Sequence, residues 1–301
     1  MGIIATLPAG QRSYSVTPSR SRFRTPRRPS LPITLTGLRI YPVKSCRGIE
    51  VSQARLTATG LEHDREWMIV TTVGRFVTQR EEPRLALIDT WLDDEGLQIE
   101  CPGAGELFVP YHAKGEATTA TVWNDRCGAF DMGSAAADLL AAYLGTPHRL
   151  VRFNPAGRRA SNREWTGDTL ALNQFSDGFP LLAVSEASLA HLNGKLPSPL
   201  PMNRFRPNLV FSGLEPHGED ALHELAGDGV TLRAVKPCTR CKITTIDQKT
   251  GTVSGPEPLD TLRSYRLSKH PMGVLFGQNM IPVAGIGQML GIGQAFTPAS
   301  R

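Results

Sequence analysis

Short runs of β-branched and aromatic residues, separated by turn residues about every ten positions, are the feature that most limits the fold of this chain. This spacing is typical of a β-sandwich or a β-barrel. In the first half the predicted strands are 36–43, 49–57, 66–73, 85–92, 96–101, 106–111 and 119–123. In the second half they are 207–212, 229–235, 242–247 and 281–284. The pattern predicts an α+β protein that is mainly β.

Few short helices are predicted between these strands. The clearest is 134–144, with Ser134 placed to cap its N-terminus; the others are 185–193 and 258–266. The glycine-rich segment 285–294 resembles a phosphate loop, but such a loop needs a helix opening after it. We therefore predict a tight strand–turn–strand that closes a barrel.

The chain divides by composition into a tail and two domains. Residues 1–33 are rich in Arg, Ser and Pro and are predicted to be disordered. Their composition also resembles a transit peptide, but the prolines oppose the amphipathic helix that such a peptide needs. Residues 34–155 form a predicted β-rich domain and residues 156–298 a second domain. The boundary is placed where apolar periodicity is lost in 154–168.

Composition excludes several classes of function. The net charge of +5 is concentrated in the tail, which has six arginines and no acidic residue. The remaining body is close to neutral, so no nucleic-acid partner is predicted. No apolar run approaches the roughly 18 residues of a transmembrane helix. The five cysteines, an odd number, favour a reducing compartment. We predict the cytoplasm, with organellar import left open by the tail.

The sequence Cys238-Thr-Arg-Cys241 has several possible interpretations. A zinc site needs a second pair of Cys or His ligands, and the remaining cysteines are isolated in sequence. A dithiol redox pair normally precedes a helix, whereas the β-branched run 242–247 predicts a strand. One thiolate could instead bind a soft metal whose other ligands come from a cofactor. Alternatively, both cysteines are ordinary buried residues.

Basic residues recur at predicted turns and strand ends, where their side chains can converge. Lys44 follows the first strand, Arg65 precedes the strand 66–73, and Arg240 is next to Cys241. Arg206 leads into the strand 207–212. Guanidinium groups bind phosphate oxygens through paired donors. Each residue alone could be a solvated surface charge, but together they are consistent with a bound anionic cofactor.

Several segments, in the same order along the chain, resemble MOSC-domain proteins of the branch that includes the mitochondrial amidoxime-reducing component and its bacterial relatives. The segments are IYPVKSCRG (40–48), HDREWMIV (63–70), RFVTQREEPRLALI (75–88), FSDGFPLLAVSEASLAHLN (175–193), NRFRPNLV (203–210), PCTRCKITTIDQKTG (237–251), EPLDTLRSYR (257–266) and LFGQN (275–279). The resemblance implies a MOSC-type β-barrel domain packed with a MOSC N-terminal β-rich domain.

The resemblance also implies a molybdenum cofactor, in which a pyranopterin dithiolene carries a phosphate and a protein thiolate completes the metal site. Cys241 matches the metal ligand, and Cys238 matches a position that is not a ligand. Asp177 matches a residue beside the metal and is a candidate for catalysis. The positions that match the cofactor-binding residues are Lys44, Ser45, Arg65, Arg206 and Asn208, with Arg240 adjacent.

The implied reaction reduces a small N-hydroxylated substrate, such as an amidoxime, a hydroxylamine or an N-hydroxylated base. No iron–sulfur motif and no dinucleotide fingerprint is visible, so a separate ferredoxin- or cytochrome b5-like protein and its reductase are expected to supply electrons. The alternative is a sulfur- or cofactor-handling role, as a cofactor carrier or a sulfurase-related binding module. The family is also associated with pyridoxal phosphate, but the sequence marks no lysine for a Schiff base.

Overall fold

The protein is described by a computed structural model over residues 1–2 and 32–299. The disordered tail predicted for residues 1–33 therefore lies outside the described residues except at its ends. The strands, in chain order, are β1 Ile33–Ile40, β2 Ile49–Glu50, β3 Gln53–Thr57, β4 Gly60–Leu61, β5 Trp67–Thr71, β6 Asp89–Leu92, β7 Gly96–Cys101, β8 Gly105–Pro110, β9 Glu116–Val122, β10 Asp125–Asp131, β11 His148–Phe153, β12 Leu181–Ser185, β13 Leu209–Ser212, β14 Glu224–Gly227, β15 Val230–Arg240, β16 Ile246–Asp247, β17 Thr252–Val253, β18 Leu267–Lys269, β19 Met272–Ala284, β20 Met289–Gly291 and β21 Ala295–Ala299.

Helices are short and few among the described residues. The α-helices are α1 Ser134–Leu144, α2 Arg163–Thr166, α3 Glu186–Asn193 and α4 Leu259–Arg266. Short 3-10 helices cover Pro83–Leu87, Met202–Phe205, Gly218–Ala221 and Lys242–Thr245. No helix in this part of the chain is long and apolar enough to cross a membrane.

Seven strands close into a barrel in the order β12, β13, β1, β21, β14, β15, β19. The ring is completed by antiparallel pairing of β19 with β12, where Leu181 is opposite Met280. β21 pairs with both β1 and β14, so the predicted strand–turn–strand after residue 285 does close a barrel. Closure removes the unpaired sheet edges that would otherwise expose backbone donors and acceptors. The predicted mainly β fold is confirmed.

The barrel interior is filled by side chains that alternate along its strands. On β1, residues Ile33, Leu35, Leu38 and Ile40 are buried and pack with residues from the other barrel strands. The remaining sheets are a four-stranded sheet in the order β5, β11, β10, β9, two three-stranded sheets in the orders β6, β7, β8 and β20, β3, β4, and a two-stranded sheet of β16 and β17. Helix α1 packs on β7, β8 and β11 and shares their apolar core. The domain boundary near residue 155 stays a prediction.

Several local predictions differ from the structure, and three of them concern the segments around α1, Pro83 and Cys241. Ser134 is the first residue of α1 rather than its cap; the N-cap is Gly133, which has a positive φ of 92°. Residues 83–87 form a 3-10 helix, where Pro83 fits the first turn, so the strand predicted over 85–92 begins only at Asp89. The strand predicted over 242–247 is instead a 3-10 helix followed by the two-residue β16.

The third difference bears on the cysteine motif. A long strand, β15, precedes Cys241, and Cys241 is the N-cap residue of the 3-10 helix. The hydroxyl of Thr244 donates to the carbonyl of Cys241 at 3.0 Å, and the hydroxyl of Thr245 donates to the carbonyl of Lys242 at 2.8 Å. These local side-chain bonds favour a turn over the extended conformation that β-branched residues otherwise prefer.

Candidate functional site

An open cleft of about 810 Å³, including its solvent-filled mouth, lies where turns from both halves of the chain meet. All eight residues that the sequence analysis selected line this one cleft. They are Lys44, Ser45, Arg65, Asp177, Arg206, Asn208, Arg240 and Cys241. Their convergence is a property of the tertiary fold, because they come from segments that are as far apart as residues 44 and 241.

The barrel strands position these side chains. Lys44 and Ser45 follow the end of β1, and Asp177 precedes β12. Arg206 lies just before β13, and Cys241 follows the last residue of β15. Residues that directly follow or precede paired strands are held in place by the sheet. Functional side chains are commonly carried on such loops of a rigid scaffold.

Three of the cleft residues have backbone conformations that side chains rarely adopt. Ser45, Arg65 and Arg206 have φ angles of 69°, 52° and 53°, in the left-handed region. Each such residue costs on the order of 1 kcal/mol or more, and residues of this kind cluster at functional sites. No sequence pattern marked these conformations, and their concentration in one cleft independently supports a site here.

Lys44 and Asp177 form an ion pair at the cleft wall. The ammonium of Lys44 is buried and donates to Asp177 Oδ1 at 2.6 Å and to the carbonyl of Phe175 at 2.7 Å. Burial lowers the pKa of Lys44, and the neighbouring carboxylate only partly offsets this. Burial opposes ionisation of Asp177, but the charge of Lys44 and its hydrogen bond, with Arg80, hold the pKa of this carboxyl well below its usual range. The Asp177 side chain is 59% exposed, so its ionised form also contacts solvent.

The loop that carries Asp177 is held by a buried arginine. Arg159 donates to the carbonyls of Gln174, Ser176 and Asp177, at 2.9, 2.5 and 3.2 Å. Its Nε pairs with Asp125 at 2.8 Å. Because one guanidinium binds three carbonyls of the loop, it fixes the backbone from which Asp177 projects. No sequence pattern marked Arg159 as a site residue.

Two arginines and one tyrosine form another side of the cleft. The guanidinium groups of Arg65 and Arg206 lie over the Tyr41 ring, 4.2 and 4.3 Å from its centroid. Arg65 pairs with Asp64, whereas Arg206 has no carboxylate partner among the described residues and donates only a long bond of 3.5 Å to Gln248 Oε1. Burial lowers the pKa of Arg206 to about 10, and the neighbouring Arg65 charge acts in the same direction. A partly buried cation without a carboxylate partner is costly, and an anionic ligand in the cleft would supply a counterion.

Asn208 is almost fully buried, and most of its hydrogen-bonding capacity is used within the protein. Its Oδ1 accepts from Arg65 Nη1 at 3.0 Å and from the backbone N–H of Leu182 at 3.2 Å. Its Nδ2 donates to the carbonyl of Arg39 at 3.1 Å. The side chain of Asn208 therefore orients Arg65 and joins β12 to β1.

The two cysteines of the motif both reach the cleft. Cys241 is half-buried, and no hydrogen bond to its sulfur is present among the described residues. Arg240 donates to Cys238 Sγ at 3.0 Å and to the carbonyl of Phe205 at 2.7 Å, while its buried Nε has no partner in the described structure. In the described part of the chain no three Cys, His, Asp or Glu residues are placed to hold a metal ion. A metal bound by Cys241 would therefore need ligands from a cofactor.

Further cleft residues were not selected from the sequence. Arg80 lies 3.7 Å from Asp177 and stacks over the Trp123 ring at 4.6 Å. Its place in the segment 75–88, which is among those that carry the resemblance, was the only available signal. The others are Thr78, Ser176, Gly178, Phe179, Leu182, Phe205, Thr239, Ile243 and Asn279.

Comparison with known proteins identifies the family. The MOSC N-terminal beta barrel domain matches residues 33–147, and the MOSC domain matches residues 172–289. The chain is 36% identical over 297 residues to mitochondrial amidoxime-reducing component 1 of Mus musculus, covering 95% of this chain and 86% of that protein. The chain belongs to the MOSC family. Among further relatives of this MOSC protein, the Homo sapiens component 1 is 38% identical over 82% of this chain and 76% of its own length.

The similarity extends to the second human component. Mitochondrial amidoxime reducing component 2 of Homo sapiens is 36% identical over 243 residues, covering 78% of this chain and 72% of that protein. The cleft of this MOSC protein lies between segments from both matched domains, since Lys44 and Arg65 are in the first and Arg206 and Cys241 in the second. Both domains are therefore needed to form it.

Proposed function

We propose that this MOSC protein is a molybdenum-dependent oxidoreductase that reduces N-hydroxylated compounds with electrons from a separate protein. The relatives named amidoxime-reducing components support the substrate class. The substrate gives up its N–OH oxygen as water, with two electrons and two protons consumed for each N–H product formed. Amidoximes, hydroxylamines and N-hydroxylated bases share this N–OH group.

The observation that carries the proposal is a half-buried thiol, without a hydrogen-bond partner in the described structure, in a cleft lined by cations. Cys241 shares the cleft with Lys44, Arg65, Arg206 and Arg240. Thiolate is the ligand type that a soft, redox-active metal requires. The cations suit a cofactor that carries a phosphate, because charge-assisted hydrogen bonds to phosphate oxygens are strong and directional. Arg206, which has no carboxylate partner among the described residues, and the orphaned Nε of Arg240 are donors that such a ligand would satisfy.

Each proposed residue has a distinct task. Cys241 would hold the metal, while Arg65, Arg206, Arg240 and Ser45 would hold the pterin and its phosphate, with Asn208 orienting Arg65. When bound, the molybdenum cofactor supplies the two-electron redox chemistry and takes the place of a side-chain nucleophile. The backbone N–H groups near Gly178 remain available for the phosphate, because the cleft is open at that position.

The Lys44–Asp177 pair is proposed to supply a proton for the reaction in the cleft. Asp177 is ionised across the neutral range because its pKa is held low, with burial opposed by the Lys44 charge and its hydrogen bond. The transferable proton of the pair is therefore on Lys44 Nζ, whose pKa is lowered by burial. In this role Asp177 holds and orients the ammonium rather than donating a proton itself.

Electrons are proposed to come from a ferredoxin- or cytochrome b5-like protein and its reductase. The proposed compartment is the cytoplasm. The relatives are named mitochondrial, so organellar import is the alternative, and fractionation of cells expressing the full chain decides between them.

The test uses full-length protein made in a host that synthesises the molybdenum cofactor. We expect molybdenum close to one equivalent per chain and reduction of benzamidoxime with reduced methyl viologen as an artificial donor. Bound molybdenum without turnover of any N-hydroxylated compound would instead support a cofactor carrier or sulfurase-related module. Absence of molybdenum would refute both.

A further inference from the structure

We propose that the hairpin formed by β18 and β19, with the aromatic residues beside it, is the docking surface for an electron-transfer protein with an acidic face. We call this surface the hairpin ridge. It comprises Trp165, Lys236, Leu267, Lys269, His270 and Met272. This inference rests on the proposed function and names the surface through which electrons would arrive.

The ridge is continuous with the cleft. Phe179 lines the cleft, and the ammonium of Lys236 lies 6.0 Å from the Phe179 ring centroid and 5.1 Å from that of Trp165. The Trp165 ring in turn stacks on His270, with centroids 5.0 Å apart and planes inclined by 17°. A chain of side-chain contacts therefore runs from the cleft wall to the tip of the hairpin.

The backbone also joins the hairpin to the proposed metal ligand. On β19, Val274 is opposite Arg240 of β15 on one side and opposite Leu267 of β18 on the other. Two strand spacings, about 10 Å, therefore separate Leu267 from Arg240, which precedes Cys241. A protein seated on the ridge would be held at the mouth of the cleft.

The lysines of the ridge have no carboxylate partners in the described structure. Lys44 is the only described lysine that forms an ion pair, so Lys236 and Lys269 are free of described carboxylate partners. Exposed Lys242, next to Cys241, adds a further cation at the mouth. Glu164, 3.7 Å from His270, is the carboxylate on the ridge itself. The excess of cations favours an acidic partner, and such complementarity raises the rate and selectivity of association.

The tip of the hairpin is apolar as well as basic. Met272 is 85% exposed and Leu267 is 65% exposed, and nothing in the described chain covers them. Lys269 is directly opposite Met272 in the hairpin register. An apolar centre with charges around it is the composition of protein–protein interfaces, and Met in particular adapts to a partner surface. The long, exposed apolar side chains favour a protein partner over a small anion.

The test compares a variant with substitutions at the tip of the hairpin with a variant that has matched substitutions elsewhere on the surface. The hairpin variant combines Lys269→Glu with Met272→Glu. The control variant combines Lys114→Glu with Val73→Glu, which makes the same charge change at an exposed lysine and at an apolar residue that is 86% exposed, away from the ridge. The probes are a plant-type [2Fe–2S] ferredoxin and cytochrome b5, both with acidic surfaces, titrated in their oxidised forms against holoenzyme at low and high salt.

We expect one of these donors to bind the wild type and the control alike, and the hairpin variant to bind it about tenfold more weakly at low salt. The difference should shrink as salt rises. The KM for the reduced donor in benzamidoxime reduction should rise similarly, while turnover with reduced methyl viologen stays unchanged. Equal affinity of the hairpin and control variants, or binding of neither donor to the wild type, overturns the docking surface.

Two further results are separable from these. If the wild type shows no viologen-driven turnover, the proposed function is refuted. The binding titration still tests whether the hairpin ridge is a docking surface. Binding of phosphatidylserine vesicles that the hairpin variant loses, without binding of either donor, would assign the ridge to an anionic lipid surface and overturn the proposal.

Discussion

The side-chain amides of Gln79 and Gln248 exchange two hydrogen bonds beside the cleft, at 3.2 and 2.9 Å, although 169 residues separate them in sequence. Gln79 also donates to the carbonyl of Ser45 at 2.6 Å, and Gln248 to that of Ile246 at 3.2 Å. The pair therefore ties the turn that carries Ser45 to the segment that follows Cys241. Because both amides are buried, their hydrogen bonds are made in a low-dielectric setting where an unmade bond is costly.

Gln79→Leu is expected to lower the free energy of unfolding by about 2–4 kcal/mol, because the carbonyl of Ser45 and the amide of Gln248 lose buried partners. Urea unfolding of the cofactor-free protein measures this. Gln98→Leu is the control, since Gln98 is partly exposed and makes a single long bond of 3.3 Å to Asp93. Gln248→Leu should lower the free energy of unfolding of the Gln79→Leu variant by less than it lowers that of the wild type. Strict additivity of the two substitutions would contradict the coupling.

The cysteine pair gives a test of the metal ligand. Cys241→Ala should lose molybdenum, because the proposed metal site has no other ligand from the protein, and the fold should survive since the residue is on a half-buried turn. Cys238→Ala, its matched control in the same cleft, should retain the metal. Molybdenum analysis and circular dichroism of both purified variants measure this. Equal metal content in the two proteins would remove Cys241 from its proposed role.

Arg206→Gln should weaken retention of the cofactor by tenfold or more, since a charge-assisted hydrogen bond to phosphate contributes about 1.5–3 kcal/mol. Retention is measured as the molybdenum that remains after dialysis. Stability of the cofactor-free protein should change little, because removing a partly buried charge that has no carboxylate partner relieves its repulsion with Arg65. Arg126→Gln, on an exposed strand position, is the control for a lost arginine. If Arg206→Gln retains as much molybdenum as the wild type, Arg206 does not bind the cofactor.

A half-buried histidine outside the cleft predicts acid sensitivity. Burial, together with the charges of Arg266 and Lys195, lowers the pKa of His217 from its ordinary value of 6.5 to about 4, and its Nε2 lies 3.0 Å from His191 Nδ1. The unfolded chain binds this proton at higher pH than the folded one. The contribution of His217 to the stability of the fold is therefore fully present above about pH 6.5 and is lost as the pH falls towards 4.

Asn suits the left-handed backbone at position 217. We expect His217→Asn to reduce the loss of unfolding free energy on acidification by about 1 kcal/mol, allowing for solvent screening of a half-buried ring. Urea unfolding at pH 7 and pH 5 measures the difference between the variant and the wild type. His112→Asn, at an exposed position, should leave the pH dependence as it is. The same slope in His217→Asn and the wild type would refute the assignment.

The sequence by itself determined the class of fold and the identity of the candidate residues. Alternating apolar positions such as those of β1 and the turn residues between strands are local signals, so the mainly β fold could be predicted from them. Local signals failed where side-chain hydrogen bonds compete with strand propensity. Thr244 and Thr245 bond backward to the carbonyls of Cys241 and Lys242, and the predicted strand becomes a 3-10 helix.

Only the tertiary structure decided which side chains meet. Gln79 and Gln248, Arg159 and the Asp177 loop, and Lys236 with Trp165 are contacts between distant segments. The left-handed backbones of Ser45 and Arg206 likewise depend on surrounding packing that repays their strain. Barrel closure brings such segments together, and the free energy that stabilises their contacts comes from the whole core rather than from any short stretch of sequence.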